Sequence, residues 1–241
     1  MGNGEDCKQA CCESIMILFF EFFGTALLTC IWNSSAGAPF LVFISFFVVL
    51  CMASNISGAH FNPAVTLAFM FRKDKGRFRR LLGLLYILAQ FCGGLFGAVI
   101  SYDLFLQRNT PIGLLGVNNE YWSQALFAEV FGSCVLIFIY LCQTDDKTRV
   151  SKDPGVSLII ISASYVCAMS LGRYSSSSPV NPAVAAGLLG ANIVTDQFYF
   201  HWGFVLVTFP FLGGMLGLVL FELLYKKTAG VVKEGEEECD K

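Results

Sequence analysis

Long apolar stretches separated by short polar segments dominate this chain. Six of them, at about 14–33, 38–56, 81–105, 121–142, 154–172 and 202–225, are close to the ~20 residues that a helix needs to cross ~30 Å of hydrocarbon. Two shorter apolar stretches, 62–71 and 182–191, cannot span. Each begins at the same tripeptide, Asn62-Pro63-Ala64 and Asn181-Pro182-Ala183, and each is followed by Val. Proline suits the first position of a helix, where its missing N–H costs nothing, and asparagine is a strong cap before it. Each motif therefore predicts a short helix that begins inside the membrane, with its positive dipole end and an Asn amide facing something polar. Broken helices at membrane depth occur where they pack in protein or line a watery cavity, so two of them imply a pore or a solute site.

Composition agrees. The chain has 241 residues, 55% hydrophobic and only 14% charged, and a mean hydropathy of +0.63, which excludes an ordinary soluble domain. A net charge of −2, with no cluster that mixes basic and aromatic residues, gives no sign of nucleic-acid binding. Arg72, Lys73, Lys75, Arg77, Arg79 and Arg80 lie between spans two and three, Lys147, Arg149 and Lys152 between spans four and five, and Lys226 and Lys227 after the last; the other side has little beyond Arg108 and Arg173. The positive-inside rule then predicts cytoplasmic termini. The expected organisation is a cytoplasmic tail 1–13, a channel domain 14–225 with halves at about 14–106 and 121–225, and a cytoplasmic tail 226–241.

No cleavable signal peptide is apparent, because the first fifteen residues are polar and the apolar run from Ile15 is long enough to span. Met1-Gly2 opens like an acylation site, but Asp6 stands where that pattern requires Ser or Thr. Cys7, Cys11 and Cys12 beside the first span are open to palmitoylation or to remaining as reduced thiols; most other cysteines fall inside spans, where they pack as small hydrophobes. Asn33-Ser34-Ser35 is formally a glycosylation sequon but abuts the end of span one, which argues against modification.

The two halves repeat. Glu21-Phe-Phe-Gly-Thr25 is matched by Glu129-Val-Phe-Gly-Ser133, 108 residues on, and Cys92-Gly-Gly-Leu-Phe-Gly97 by Leu212-Gly-Gly-Met-Leu-Gly217, 120 residues on; the Asn-Pro-Ala motifs are offset by 119. With three spans per half, the copies enter the membrane in opposite senses, and such inverted repeats hold their functional site near the midplane at the repeat interface. Gly24, Gly94, Gly97, Gly132, Gly214 and Gly217 read as close-packing positions between helices.

On Ser57-Gly-Ala-His-Phe-Asn-Pro-Ala-Val-Thr66, the second Asn-Pro-Ala and the paired glutamates, the chain resembles the aquaporin (major intrinsic protein) family over roughly residues 15–225. The resemblance implies an all-α membrane fold of six transmembrane helices plus two half-helices that meet at the pore centre, assembled as a homotetramer with one pore per subunit. Asn62 and Asn181 would cap their helices through the side-chain oxygen and turn their amide hydrogens into the channel, where a passing water accepts from both. The converging dipoles raise a barrier to cations and protons. Glu21 and Glu129, each costing roughly 2.5–3.5 kcal/mol in an apolar helix, read as acceptors for the backbone N–H groups of their re-entrant loops, with proton relay the alternative. His60 reads as a structural histidine, with pH sensing the alternative.

The chain departs from the family at the constriction. Where most members have Arg directly after the second Asn-Pro-Ala, this chain has Val184. By counting from the motifs, Val42 takes the place of an aromatic, Met169 (or Ala168, if 175–178 hold an insertion) takes the place of His, and Ser178 is the fourth position. Loss of the Arg charge and donors implies a wider, drier ring, passing glycerol, urea, ammonia or hydrogen peroxide besides water. Ala185, where glycerol-conducting members have Asp, points the other way, and a ring dry enough to dewet would conduct poorly.

The expected function is therefore passive permeation of water and small neutral solutes through a lipid bilayer. The alternatives are a weakly conducting junctional or scaffold member of the family and, from another class, an inverted-repeat secondary transporter, for which the carboxylates Glu21, Glu129, Asp103 and Glu222 are few. No nucleophile–base constellation, metal-ligand spacing or phosphate loop is present in the sequence, so neither an enzyme nor a cofactor or metal is expected. The sequence leaves open whether the membrane is the plasma membrane or an internal one. The acidic tail with Glu234, Glu236, Glu237 and Glu238 reads as solvated.

Overall fold

The computed structural model describes residues 3–73, 78–105, 120–172, 175, 179–194 and 202–229, of which 3–12, 103–105 and 192–194 are described by backbone alone. The acidic tail and Cys7, Cys11, Cys12 and Asp103 as side chains lie outside that description. The described residues form eight α-helices and no strand: α1 (Asn3–Ser35), α2 (Pro39–Ala53), α3 (Pro63–Phe71), α4 (Arg80–Phe105), α5 (Trp122–Thr144), α6 (Pro154–Leu171), α7 (Pro182–Val194) and α8 (Gly203–Leu220). A π-helical turn, Phe221–Tyr225, carries α8 on to Ala229.

Proline sets the start of four of these helices. Pro39, Pro63, Pro154 and Pro182 each occupy the first turn, where no N–H is needed. Asp153 adds a cap, accepting from Gly155 N at 2.7 Å. Five helices are long and apolar enough to cross a bilayer: Glu13–Ser35 of α1, Arg80–Tyr102 of α4, α5, α6 and Gly203–Ala229. The expected second span, 38–56, is the exception. Its helix α2 has only 15 residues, because the chain turns at Ser54–Ser57 to enter the loop before Asn62. At 1.5 Å per residue it is roughly 22 Å long, shorter than the hydrocarbon. Helix α1, conversely, begins at Asn3, ahead of the apolar stretch expected from residue 14.

The two halves interlock rather than sit side by side. Within each half the outer pair packs together, α1 on α4 and α5 on α8, while α2 meets α6 across the halves. Each short helix is received by the other half: α3 packs on α8 and α7 on α4. Glycine makes these approaches close enough. A Cβ on Gly93 or Gly97 would strike the backbone carbonyls of Phe22 or Ala26 in α1, and one on Gly213 or Gly217 those of Val130 or Cys134 in α5. The partners repeat at 108 residues and the glycines at 120, the two offsets read from the sequence. Gly94 seats the Ala183 carbonyl of α7, and its twin Gly214 lies against Ala64 of α3.

The molecule is apolar outside and carries its polar groups inside. Leu81, Leu88, Phe127, Val99 and Leu212 are exposed, whereas Glu21, Gln90, Glu129, Asn62 and Asn181 are buried. That is the arrangement expected of a chain whose solvent is lipid. The sequon Asn33 is engaged within this packing, donating through Nδ2 to Ser101 Oγ of α4 at 2.9 Å.

Because Gly94 meets backbone rather than a movable side chain, Gly94→Ala should destabilise the fold by about 1–3 kcal/mol through overpacking. Gly190→Ala, which meets only the tip of Leu95 at 3.1 Å, should be far milder. Thermal unfolding of both variants in detergent checks the contrast.

Candidate functional site

The centre of the molecule is where α3 and α7 begin. Asn62 Oδ1 accepts from Ala64 N at 2.9 Å, and Asn181 Oδ1 accepts from Ala183 N at 3.1 Å, so each asparagine caps its own short helix. The amide ends cross over. Asn62 Nδ2 donates to the Val180 carbonyl at 3.0 Å, and Asn181 Nδ2 donates to the Phe61 carbonyl at 2.8 Å. Each asparagine thus holds the residue that precedes the other. One of the two hydrogens on each amide is committed to this brace, so the expectation that the amide hydrogens turn into the channel is corrected for that one.

The accepting carbonyls belong to residues in left-handed backbone, Phe61 at φ 48° and Val180 at φ 50°. This region is unfavourable for a bulky or β-branched residue, costing of order 1–3 kcal/mol. It turns each carbonyl toward the opposite loop.

Glu21 secures the first loop. Its Oε1 accepts from Ser57 Oγ at 2.6 Å and His60 N at 3.0 Å, and its Oε2 accepts from Phe61 N at 2.8 Å and Gln90 Nε2 at 2.7 Å. All four contacts use the carboxylate as acceptor, which is its whole capacity. Sequence reasoning missed the rest of the support. Tyr86 Oη donates to the Ser57 carbonyl at 2.8 Å, Tyr140 Oη lies 2.9 Å from the Gly58 carbonyl, and Gln90 Nε2 reaches Thr66 Oγ1 at 2.8 Å. In the second half Tyr165 Oη donates to the Pro179 carbonyl at 2.8 Å. A polar atom on a residue in the middle of an apolar span was the available signal. Glu129 is fully buried at the position matching Glu21, and part of the loop after α6, near its end, lies outside the described residues. His60 is buried with Nδ1 3.2 Å from Thr66 Oγ1, its ring packed against Phe69, Phe78 and Tyr86 at centroid distances of 4.4, 5.2 and 5.5 Å.

Two cavities flank the brace. One, of about 420 Å³, opens at the start of α5 and is lined by Tyr121, Gln124, Leu171 and Ser175. The other, of about 240 Å³, lies at the far end of α5 and is lined by residues that include Ser57, His60, Phe69, Arg72, Phe78 and Thr144. The 23 residues of α5 put these cavities roughly 35 Å apart, at its two ends.

Of the expected constriction residues, Val42, Met169 and Val184 fall in one buried apolar cluster, together with Ala168; Ser178 lies outside the described residues. Val184 exposes 0% of its surface. Ala168 packs its backbone against Gly132 of α5.

The Arg72 mouth carries a charge cluster. Arg72 Nη2 meets Asp145 Oδ2 at 2.6 Å, each side chain only 7% exposed, and Lys226 Nζ reaches the same oxygen at 3.0 Å. Burial pushes the Asp145 carboxyl up, but hydrogen bonds from Lys147 N and Lys226, with the Lys226 and Arg72 charges, outweigh it and hold the group below its usual value. A depressed value means that the stabilisation is present at neutral pH and is lost only as pH falls through the depressed value. Lys73 N donates to Glu222 Oε1 at 3.3 Å, tying the π-helical turn to the same place.

Comparison with known proteins matches this geometry to one family. The family model described as "Major intrinsic protein" matches residues 3–221. Aquaporin-1 of Rhizophagus irregularis is 31% identical over 223 residues, covering 88% of this chain and 76% of its own length. Aquaporin-2 of Rattus norvegicus is 28% identical over 235 residues, covering 92% and 80%. The X-ray structure of the aquaglyceroporin from Plasmodium falciparum superposes with a TM-score of 0.76 over 90% of this chain and 99% of that one, at 16% identity, a likeness of fold.

Replacing Glu21 with Gln would turn an NH₂ group toward two donors that now share one carboxylate oxygen. Glu21→Gln should therefore cost about 1–3 kcal/mol, read as a lowered unfolding temperature in detergent.

Proposed function

The chain belongs to the major intrinsic protein family, and from that membership we propose that it is a passive channel for water and small neutral solutes, with an apolar constriction of its own. The observation that carries this reading is the reciprocal brace of Asn62 and Asn181, which holds two helix N-termini face to face between cavities on opposite sides. Each amide retains one hydrogen for a permeating oxygen, and the converging dipoles disfavour a cation or proton at the same point. No step makes or breaks a bond.

Val42, Met169 and Val184, with Ser178, form the constriction in this reading. Without a charged donor there, selection rests on size and on the cost of leaving water, which admits glycerol, urea, ammonia and hydrogen peroxide beside water. The basic loops orient both termini to the cytoplasm, and the exposed apolar faces suit both lipid and the partners of a homotetramer. Full burial of Val184 favours one second reading, a weakly conducting member whose role is structural.

Stopped-flow light scattering on proteoliposomes separates these readings. The expected result is osmotic water flux well above that of empty liposomes, with measurable glycerol or urea uptake that Val184→Arg cuts several-fold. Flux equal to empty liposomes from a monodisperse protein would sink the channel and favour the structural role.

A further inference from the structure

Phe78 stands in sequence among Arg77, Arg79 and Arg80, yet its ring turns inward. Arg79 and Arg80 are exposed, whereas Phe78 is half-buried and lines the 240 Å³ cavity with His60, Phe69 and Met70. The start of α4 explains the turn. The Arg79 carbonyl accepts from Gly83 N at 3.0 Å, which makes Arg79 the cap of the helix and Phe78 the residue before it. An apolar residue at that place commonly packs on the side chain four residues beyond the cap. Here that residue is Gly83, which has no side chain. The ring crosses it and reaches further in, to centroid distances of 5.2 Å from Tyr86, edge-on, and 5.2 Å from His60. A Cβ on Gly83 would stand 2.9 Å from Phe78 Cε1 and 2.5 Å from Met70 Cγ, so the missing side chain is space that both cavity-lining residues use.

We propose that Phe78 is the size-determining residue of this mouth, its ring holding back polyols while water passes. This rests on the channel reading above. The cavity it lines is the smaller of the two that flank the brace, 240 against 420 Å³, and it leads to His60, two residues before Asn62. Phe69, His60 and Phe78 give it three ring faces, with His60 4.4 Å from Phe69 and 5.2 Å from Phe78 between centroids. A phenyl ring accepts the carbon skeleton of a solute but replaces none of the hydrogen bonds its hydroxyls made to water, so the cost of passing rises with each hydroxyl. The rival role, a prop for the loop, is weakened by the other holds on its neighbours. His60 N donates to Glu21 Oε1 at 3.0 Å, and Tyr86 Oη donates to the Ser57 carbonyl at 2.8 Å, with or without Phe78.

The test compares osmotic water permeability with glycerol and erythritol uptake, for full-length protein in liposomes. Phe78→Ala should raise glycerol uptake about three-fold or more and erythritol uptake by a larger factor, with water permeability within about two-fold of wild type. Phe78→Leu should raise both uptakes by smaller factors; this arm stands even if Phe78→Ala does not yield a monodisperse protein. Polyol uptake unchanged against water in both variants would put the size limit elsewhere and overturn the proposal. Water and polyol permeability falling together, with Phe78→Leu less affected than Phe78→Ala, would make the ring a prop for His60 and Tyr86 and overturn it as well. Wild type and both variants at the level of empty liposomes would overturn the channel reading, and this proposal with it.

Discussion

Everything at the centre of this molecule depends on two helices being made to stop halfway through a bilayer. Their first N–H groups have no intrahelical partners, and hydrocarbon supplies none. Asn62 and Asn181 answer the need twice over, capping their own helix with the oxygen and binding the opposite loop with the nitrogen. The left-handed turns at Phe61 and Val180 then become intelligible. Unfavourable locally, they are the geometry that hands a carbonyl across the interface.

Support for this centre is layered outward. Glu21 gathers three donors from a loop that has no regular structure of its own and a fourth from Gln90 of α4, and Tyr86 of α4 and Tyr140 of α5 take carbonyls of the same loop. Gly94 lets α7 lie on the opposite half at backbone distance. The end of α3 is charged and tied to Asp145, whereas α7 begins with the buried residues Ala183, Val184 and Ala185.

The sequence made the Asn-Pro-Ala helices legible because their start is decided locally, by a ring that fixes φ and an amide that caps. The paired glutamates and glycines were legible because a carboxylate or a missing side chain in an apolar span needs a reason. What escaped was decided by partners far along the chain. Nothing local to Tyr140 says that its hydroxyl will meet Gly58, and nothing local to Arg72 names Asp145. The span read at 38–56 ran too long by counting Ser54, Asn55 and Ile56, which the chain places in the turn that leads into the loop. Val184 could be placed after its motif by counting, but nothing local to it says that it is completely buried.

The crossed asparagine bonds carry a consequence for how such a chain could arise and assemble. A single half has a cap but no carbonyl of the right origin for its own amide, since that carbonyl lies in the counterpart threaded the opposite way. Neither half is a self-sufficient folding unit at its most important point. An ancestral half could complete the brace only by meeting a second copy inserted upside down, which makes dual membrane insertion a precondition of the architecture. In the fused chain, the first half must wait for the second before its central contact exists.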